Sequence, residues 1–362
     1  MKKNTKAAII LGTRPEIIKM SPIIDECSKQ KLNYFVIHTN QHYSENLDKY
    51  FFSDLNLDHP KYNLGSGSGT HAQETARMMI GIEKILIEEK PDVVLVEGDT
   101  NTVLAGALAA CKLHIKIGHI EAGLRSYSKE MPEEINRILV DHCSDFLFAP
   151  TKQSKKILLK EGIPKEKIFI TGNTIVDAVY RNLKIISDNK KALSHLGLFE
   201  RKYFLMTLHR QENVDNKERF ANVLKGIQKV ARKFSLPVIF PIHPRSKKML
   251  KEFGLETGDN IKIIEPLGYF DFLQLQKNAK LIFTDSGGLQ EESCILHVPC
   301  VTLRDNTERP ETIEVGSNIL AGTEIGRIVD ATQNMLDRET EWDNPFGDGN
   351  SSKIIIRSIL QK

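Results

Sequence analysis

The sequence predicts an α/β protein built from two doubly wound, Rossmann-like domains, each with a parallel sheet between layers of helices. The chain has 362 residues, which is more than one small core accommodates and suits about two domains. Short runs rich in Val and Ile alternate with amphipathic stretches of helical period along almost the whole chain. Such continuous apolar runs indicate strands buried on both faces, and the amphipathic stretches between them indicate crossover helices.

The predicted strands fall into two groups. The group before residue 172 comprises 7–11, 33–39, 92–98, 116–122, 145–151 and 167–172. The group after residue 200 comprises 203–209, 237–243, 261–266, 281–286 and 299–304. We therefore predict an N-terminal domain over 1–172 and a C-terminal domain over 173–344, with a terminal helix in 345–362 that returns to the first domain. Two such domains facing each other would bring the carboxyl ends of both sheets to a central cleft, so residues that follow strands are the candidate site residues.

Composition excludes several classes of function. The net charge of +3 and the pI of 8.4 give no basic footprint for nucleic acid. No apolar stretch approaches the roughly 18 residues of a membrane span, and the apolar run near the start is too short for a signal peptide. The five cysteines include no C-x-x-C pair, which favours a reducing compartment. We expect a soluble, cytoplasmic protein with no nucleic-acid or membrane partner.

The stretch "TDSGGLQEE" follows a predicted strand and leads into a helix. Gly287 and Gly288 let the backbone approach a ligand, and the start of a helix favours a phosphate. The alternative is a plain junction with Ser286 as N-cap, although a capping box would require Glu or Gln where Leu289 stands. Glu292 lies one turn further, where its carboxylate could accept hydrogen bonds from ribose hydroxyls. This combination predicts a ligand with a phosphate at one point and hydroxyls at another.

A second strand-to-helix junction lies in "GTRPEIIKMSPII". A capping box explains Thr13 and Glu16 but leaves Arg14 and Lys19 unexplained. The helix dipole opposes cations at this end, unless an anion lies between them and the helix. Arg14 and Lys19 are therefore candidate anion ligands, and a surface pair between Lys19 and Glu16 is an equally good alternative. The junction lacks G-x-G-x-x-G, so a dinucleotide fingerprint is missing.

Three carboxylates form a candidate acid–base cluster. Asp99 and Glu121 end two successive strands, and Glu133 stands at the start of a predicted helix. Their proximity would raise pKa values and allow proton transfer near neutral pH. The alternatives are an N-cap for Asp99, a partnership with Arg125 for Glu121, and a helix pair with Arg137 for Glu133.

Histidines end two strands of the second group. His209, followed by Arg210, is a candidate for a phosphate site, whereas His243 is equally compatible with a structural role. No H-E-x-x-H or EF-hand pattern occurs, and the H-x-E of "GHIEAG" lacks the P-C-x-x-C partner of zinc deaminases, so no metal is expected. The cluster of features predicts a nucleoside diphosphate derivative as ligand.

Taken in order, the motifs resemble those of the non-hydrolysing UDP-N-acetylglucosamine 2-epimerases. The matching segments run from residue 12 to about 350 and read "GTRPEIIKMSPII", "QHY", "VEGDTNTVLAGALAA", "GHIEAGLRS", "MPEEINR", "TGNTIVDAV", "TLHRQENV", "FTDSGGLQEE" and "NPFGDGN". The resemblance implies a fold similar to two-domain glycosyltransferases of the GT-B type. It also implies reversible conversion of UDP-GlcNAc to UDP-ManNAc, through elimination of UDP to 2-acetamidoglucal and its re-addition.

The family's functional residues are carried over by motif. The resemblance implies catalytic roles for Asp99, Glu121, Glu133 and His209. It implies that UDP and the sugar are held by Arg14, Lys19, Arg137, His243, Ser286, Gly287, Gly288 and Glu292. It further implies a homodimer that needs no cofactor. Which carboxylate removes the C2 proton is left open.

The chemistry favours the same route. No carbonyl acidifies the C2 proton of a glycoside, so epimerisation there needs either transient oxidation or loss of the C1 substituent. The missing nicotinamide fingerprint disfavours oxidation. Cations and a helix terminus can stabilise departing UDP, and carboxylates can remove and return the C2 proton.

One segment departs from the family pattern. Many bacterial members have Gln-His-Arg where this chain has Gln41, His42 and Tyr43, and the segment belongs to a regulatory UDP-GlcNAc site in those members. We predict that Gln41 and His42 still contact a regulatory nucleotide sugar, which strictly hyperbolic kinetics would contradict. The remaining alternatives for the whole chain are a hydrolysing epimerase, a glycosyltransferase of the same shape and a nucleotide-sugar sensor.

Overall fold

Parallel strands in two sheets organise the part of the chain that the structure describes. The structure is a computed structural model and describes residues 5–39, 52–186 and 191–361. Its strands are β1 (Lys6–Leu11), β2 (Asn33–His38), β3 (Tyr62–Asn63), β4 (Val93–Glu97), β5 (Lys116–Ile120), β6 (Phe146–Ala149), β7 (Ile168–Ile170), β8 (Phe204–Thr207), β9 (Val238–Pro241), β10 (Ile261–Ile264), β11 (Leu281–Thr284), β12 (Cys300–Thr302) and β13 (Asn318–Leu320).

Helices connect the strands as crossovers. They are α1 (Arg14–Lys29), α2 (His71–Glu89), α3 (Asn101–Lys112), α4 (Pro132–Cys143), α5 (Lys152–Lys160), α6 (Thr174–Ile186), α7 (Lys191–Leu196), α8 (Gln211–Val214), α9 (Lys217–Phe234), α10 (Pro244–Phe253), α11 (Tyr269–Asn278), α12 (Gly287–Ile295), α13 (Pro310–Glu314), α14 (Ile325–Leu336) and α15 (Ser351–Leu360). In the described segments, no helix is long and apolar enough to span a membrane.

The N-terminal unit comprises Met1–Arg181 and Phe346–Lys362. Its parallel sheet has the strand order β3-β2-β1-β4-β5-β6-β7. The order reverses between β1 and β4, and ligands of doubly wound sheets bind at the carboxyl ends of strands at such a switch point. Strand β4, "VVLVE", is buried along its whole length, which explains its uninterrupted apolar run.

The last helix belongs to this same unit. Helix α15 lies against α1, as the turn-rich segment before it allows. The Asp177 carboxylate of α6 accepts hydrogen bonds from the backbone N–H groups of Ser351 (3.1 Å) and Ser352 (2.9 Å). These are donors that the first turn of a helix cannot satisfy internally, so a buried carboxylate of a distant helix caps α15.

The C-terminal unit comprises Asn182–Pro345. Its parallel sheet has the order β10-β9-β8-β11-β12-β13, with a second switch point between β8 and β11. One apolar core of this unit contains Phe204 and Phe283, which pack edge to face with ring centroids 5.7 Å apart. The residues that follow β8 and β11 therefore lie side by side at one edge of this sheet.

The two parallel sheets with interleaved helices confirm the predicted pair of doubly wound, Rossmann-like folds. Each strand predicted from the sequence is present, with ends that differ by a few residues. Strands β3 and β13 were not predicted, because runs of two and three residues are too short to show a hydrophobic pattern.

Candidate active site

Polar side chains cluster where β1, β4 and β5 end in the N-terminal unit. In the register of the sheet, Glu97 lies beside Ile120, so Asp99 and Glu121 follow the ends of neighbouring strands. Helix α1, which follows β1, carries Lys19 toward the same edge. The structure thus brings together Lys19, Glu121 and Asp99, which the sequence predicts as site residues.

Lys19 is the centre of a buried ion cluster. Its Nζ lies 2.8 Å from both carboxylate oxygens of Glu121 and 3.1 Å from Oε1 of Glu97. The three side chains are only 11, 4 and 3% exposed, for Lys19, Glu121 and Glu97 respectively. The surface pair with Glu16 considered as an alternative is therefore wrong, because both Lys19 and Glu16 are directed away from solvent.

Glu16 closes the predicted capping box instead. Its Oε2 accepts the backbone N–H groups of Gly12 and Thr13, both at 2.7 Å. Its Oε1 accepts the hydroxyl of Thr100 at 2.5 Å, which ties the start of α1 to the end of β4. Burial raises the pKa of Glu16, and these hydrogen bonds oppose the rise without cancelling it.

Glu121 occupies a strained backbone position. Its φ of 70° lies in the left-handed region, which costs a non-glycine residue of order 1 kcal/mol. Lys19 and the side-chain amide of Asn173 (2.9 Å to Oε1) hold the carboxylate in place. The alternative of a partnership with Arg125 is wrong, because Arg125 binds Asp141 at 2.7 Å and Glu161 at 2.5 Å.

Glu97 is a member of the cluster that sequence reasoning missed. Burial raises its pKa well above the ordinary value; Lys19 lowers it, whereas Glu121 and Glu16 raise it further. A single ammonium group faces the carboxylates of Glu97, Glu121 and Glu16, so Glu97 binds its proton more tightly than an exposed glutamate does. The signal was present in the sequence, as a carboxylate at the last position of an otherwise apolar strand.

Glu97→Gln is expected to weaken the pH dependence of stability. Because the pKa of Glu97 is higher in the folded protein, its contribution to stability is fully present below the unfolded pKa of 4.5 and is lost as pH rises through the folded-state pKa. Glutamine keeps an oxygen for Lys19 but does not ionise. Urea unfolding from about pH 5 to about pH 8 should show a smaller loss of free energy of unfolding for Glu97→Gln than for the wild type.

The matched control for that experiment is Glu88→Gln on α2, where the carboxylate is exposed. Its pH dependence should equal that of the wild type. Equal pH slopes for Glu97→Gln and the wild type would contradict a raised pKa of Glu97 in the folded protein.

Asp99 is held from α4. Nη2 of Arg137 lies 2.5 Å from its Oδ2, and the side-chain amide of Asn136 donates to its backbone carbonyl at 2.9 Å. The alternative of Asp99 as an N-cap is wrong, because Thr100 occupies that position of α3. The carboxylate is 30% exposed, so it is oriented by the protein and still reachable by a ligand.

Glu133 lies apart from these contacts. The alternative of a helix pair with Arg137 is wrong: Nη1 of Arg137 binds Glu134 at 2.9 Å. Glu134 is buried and accepts the backbone N–H groups of Ser126 and Tyr127, so it anchors the loop before α4. The Glu133 side chain is half-buried, and within the described residues its carboxylate has no hydrogen-bond or ion-pair partner.

In the C-terminal unit, a buried Asp285 organises the ends of β8 and β11. Its carboxylate accepts the backbone N–H groups of His209 (3.0 Å) and Arg210 (2.9 Å) and lies 3.0 Å from Nδ1 of His209. Burial raises the pKa of Asp285, but the His209 ring and the backbone donors outweigh burial, so the pKa is lowered. An ionised Asp285 therefore fixes the His209 ring, which is 36% exposed.

His243 has a structural contact of its own. It is the N-cap of α10, and its Nδ1 accepts the backbone N–H of Arg245 at 3.2 Å. Its ring centroid lies 5.6 Å from that of His209. Burial, His209 and Arg245 lower the pKa of His243, which favours the neutral ring that the capping contact requires. The structure brings His209 and His243 together and gives His243 a capping role.

The 286–288 turn (Ser286, Gly287 and Gly288) forms the start of α12. Ser286 is the N-cap residue, but its side chain makes no capping hydrogen bond. A Cβ on Gly287 would meet only Glu308 Oε2, at 3.6 Å, and one on Gly288 only Ser286 Oγ, at 4.0 Å. Protein contacts therefore do not require either glycine, and the turn presents open backbone at a helix N-terminus.

The adjacent glutamates of α12 have different environments. Glu291 is fully buried and pairs with Nε of Arg309 at 2.7 Å. Glu292 accepts a hydrogen bond from the Gln276 amide (2.8 Å) and lies 3.5 Å from the Tyr269 hydroxyl. Burial, followed by the Glu292 carboxylate, raises the pKa of Tyr269 well above its ordinary value, so the hydroxyl keeps its proton. Glu292 is thus the carboxylate surrounded by hydroxyl and amide donors.

The remaining predicted site residues are Arg14, Gln41 and His42. Arg14 is the first residue of α1 and is exposed. Gln41 and His42 lie outside the described residues. In 5–39, 52–186 and 191–361, no group of three His, Cys, Asp or Glu side chains could hold a metal ion.

Comparisons with known proteins identify relatives over nearly the full length. A family described as UDP-N-acetylglucosamine 2-epimerase matches residues 25–360. A UDP-N-acetylglucosamine 2-epimerase from Methanococcus maripaludis is 60% identical over 361 residues, covering 98% of each chain.

Solved structures are similar as well. One is the Methanocaldococcus jannaschii UDP-GlcNAc 2-epimerase in complex with UDP-GlcNAc and UDP, with 57% identity, a TM-score of 0.93, and coverage of 99% of this chain and 100% of that one. Another is the UDP-GlcNAc 2-epimerase from Neisseria meningitidis bound to UDP-GlcNAc, with 34% identity, a TM-score of 0.92 and the same coverage.

Proposed function

The chain belongs to the UDP-N-acetylglucosamine 2-epimerase family, and we propose that it is a non-hydrolysing member that interconverts UDP-GlcNAc and UDP-ManNAc. The observation that carries this proposal is the group of oriented carboxylates at the ends of β4 and β5. Asp99 is held by Arg137, and Glu121 is held by Lys19 and Asn173. Inversion at one carbon needs a group that removes a proton and another that returns it on the opposite face, and two carboxylates on different strands suit these tasks.

The proposed reaction has two halves. In the first, a carboxylate takes the C2 proton, the C1–O bond to UDP breaks, and the electron pair of the C2–H bond forms the C1=C2 double bond of 2-acetamidoglucal. In the second, a carboxylic acid returns a proton to the other face of C2, and UDP re-adds at C1. Glu97 supports this sequence, because its raised pKa favours a protonated carboxyl beside Glu121 and Lys19, which limits the negative charge of the cluster while one carboxylate changes its protonation. Glu133 remains a third candidate.

The C-terminal unit supplies the proposed UDP site. The open 286–288 turn offers backbone N–H groups and the positive end of the α12 dipole to a phosphate. His209, fixed by Asp285, lies on the neighbouring strand end and can donate to a departing phosphate oxygen. Glu292 can accept from ribose hydroxyls. Water exclusion during catalysis would keep the sugar linked to UDP at the end of each turnover.

Gly288→Asp is expected to weaken UDP binding strongly without harming the fold. A carboxylate at the start of α12 is favourable for the helix dipole. The aspartate side chain has room at this position, because a Cβ on Gly288 would have only Ser286 Oγ nearby, at 4.0 Å. The same carboxylate repels a diphosphate, so calorimetry should show UDP affinity about 100-fold weaker. The thermal midpoint should be unchanged or higher, since only the ligand is repelled.

The control is Gly288→Asn, which has the same shape without the charge. Its UDP affinity should lie between those of the wild type and Gly288→Asp. If Gly288→Asp binds UDP as tightly as the wild type, the turn is a plain strand-to-helix junction and the phosphate lies elsewhere.

Two further expectations complete the proposal. We expect a homodimer, which sedimentation velocity would measure. We also expect that the product supplies ManNAc-type sugars for surface polysaccharide or other glycan synthesis.

A further inference from the structure

His119 is a fully buried histidine of β5 that has no role in the proposed reaction. Its exposed fraction is 0%, and it lies two residues before Glu121. Its Nδ1 lies 2.7 Å from Oδ1 of Asp141, a residue of α4. Its Nε2 lies 2.8 Å from the backbone carbonyl oxygen of Gly98, the residue before Asp99. The ring therefore bridges α4 and the turn that carries a proposed catalytic carboxylate.

Both neighbours of the ring are hydrogen-bond acceptors. A carbonyl oxygen can only accept, and the Asp141 carboxylate is ionised. Its Oδ2 lies 2.7 Å from Nη2 of Arg125 and accepts the Gly123 N–H at 3.2 Å. Burial raises the pKa of Asp141, but His119 and Arg125 outweigh burial and lower it. A neutral imidazole has one N–H and can satisfy only one of two acceptors, so both contacts require the doubly protonated ring.

The surrounding charges make a buried cation acceptable. Asp141 lies between His119 and Arg125, and Arg125 in turn binds Glu161 through Nε (2.8 Å) and Nη2 (2.5 Å). Positive and negative groups alternate along this chain of four and sum to no net charge. A buried charge is tolerated under these conditions, because it is paired and hydrogen-bonded.

The Gly98 turn is held from β5 at both of its polar groups. The Gly98 N–H donates to the carbonyl of Ile120 at 3.1 Å, and the Gly98 carbonyl accepts from His119. Gly98 has a φ of 84°, in the left-handed region that glycine adopts readily, and the orientation of its peptide decides where Asp99 points. Arg137 and Asn136 then hold Asp99 from α4, the helix that carries Asp141.

We propose that His119 is a doubly protonated positioning residue, which clamps the Gly98 carbonyl to α4 through Asp141 and so aims Asp99 at the sugar. His119 touches no substrate. The inference about Asp99 rests on the proposed function, whereas the charge of the ring does not.

The charge is tested on the wild-type protein by NMR with ¹⁵N-labelled histidine. His119→Gln identifies the signals that belong to this ring. The expected result is two ring N–H protons, on Nδ1 and Nε2, that exchange slowly with water because the ring is buried. A single ring N–H in the folded protein would overturn the proposal. This measurement needs no catalytic activity, so it stands even if the proposed function fails.

The positioning role is tested by steady-state kinetics of His119→Gln. Glutamine cannot donate to both acceptors from one position, so the Gly98 turn loses its clamp. We expect kcat to fall about 10-fold or more, with KM and UDP affinity within about 2-fold of the wild type. A kcat equal to that of the wild type, in a variant that is folded, would overturn the role.

Two controls separate positioning from general destabilisation. His195→Gln replaces an exposed histidine of α7 and should change neither kcat nor the thermal midpoint. Ile85→Ala removes core contacts of α2, and should lower the thermal midpoint with kcat retained. If His119→Gln behaves as Ile85→Ala does, His119 is merely structural. If the wild type itself does not epimerise, the proposed function fails and the NMR result alone decides the charge of the ring.

Discussion

Asp99→Asn is expected to lower kcat by about 10²–10⁴-fold, the range that a general acid or base contributes. The amide has nearly the same shape as the carboxylate but cannot take the C2 proton. The Asn136 contact involves the backbone carbonyl of Asp99 and is kept, and the amide oxygen can still accept from Arg137. We therefore expect a folded variant whose UDP affinity, measured by calorimetry, is close to that of the wild type.

Asp92→Asn is the matched control for this experiment, since Asp92 is an exposed aspartate at the amino end of the same strand. Its kcat should be unchanged. Full turnover in Asp99→Asn would remove Asp99 from the mechanism and leave Glu121 and Glu133 as the acid–base candidates. Loss of UDP binding together with turnover would instead show that Asp99 acts in binding.

Lys19→Met is expected to destabilise the fold by about 3–5 kcal/mol, the cost of breaking a buried ion pair by removing one partner. Methionine fills much of the space of the lysine stem but leaves Glu97 and Glu121 buried without their cation. Turnover should also be lost, because the Glu121 carboxylate loses the ammonium group that orients it. Urea unfolding measures the first effect, and steady-state kinetics measures the second.

The loss of stability in Lys19→Met should be larger near pH 8 than near pH 5. Without Lys19 the buried carboxylates bind protons more tightly in the folded state, so their contribution is lost as pH rises through the raised pKa values. Lys29→Met, at the exposed end of the same helix, is the control and should lie within about 0.5 kcal/mol of the wild type. An equally small effect for Lys19→Met would contradict the ion cluster.

Hydrophobic runs predicted the fold because parallel strands buried on both faces show an uninterrupted apolar pattern. Strand β4 is the clearest example, with every residue buried. Strands β3 and β13 escaped prediction because so short a run carries no period. The same topological rule placed Asp99, Glu121 and His209 at strand ends, since carboxyl ends of parallel strands share one edge.

Pairing partners could not be predicted in the same way. Arg125 is four residues from Glu121 in the sequence, but the turn after β5 sends it to Asp141 and Glu161. Lys19 is 102 residues from Glu121 and is nevertheless its partner, because α1 and the end of β5 meet at the switch point. Short spacing is informative on a helix surface, where neighbours are local, and uninformative for side chains that follow strands.

Two alternatives weighed for residues at helix starts are wrong for a related reason. The sequence offered Asp99 as a cap for α3, but the cap is Thr100, which leaves the Asp99 carboxylate for Arg137. Adjacent residues of similar capping propensity can be separated only by the backbone geometry of the turn. Likewise, Glu134 rather than Glu133 binds Arg137. Offsets of three and of four residues both put two side chains on one helix face, so spacing alone does not distinguish the two glutamates.

The most direct test of the proposed reaction is proton NMR of the purified protein with UDP-GlcNAc in D₂O, without added nicotinamide. Elimination and re-addition predict UDP-ManNAc that carries deuterium at C2, with most of the sugar still linked to UDP. Free ManNAc and UDP as the main products would indicate a hydrolysing enzyme. UDP-GlcNAc that stays unchanged, with no deuterium at C2, would contradict epimerisation altogether.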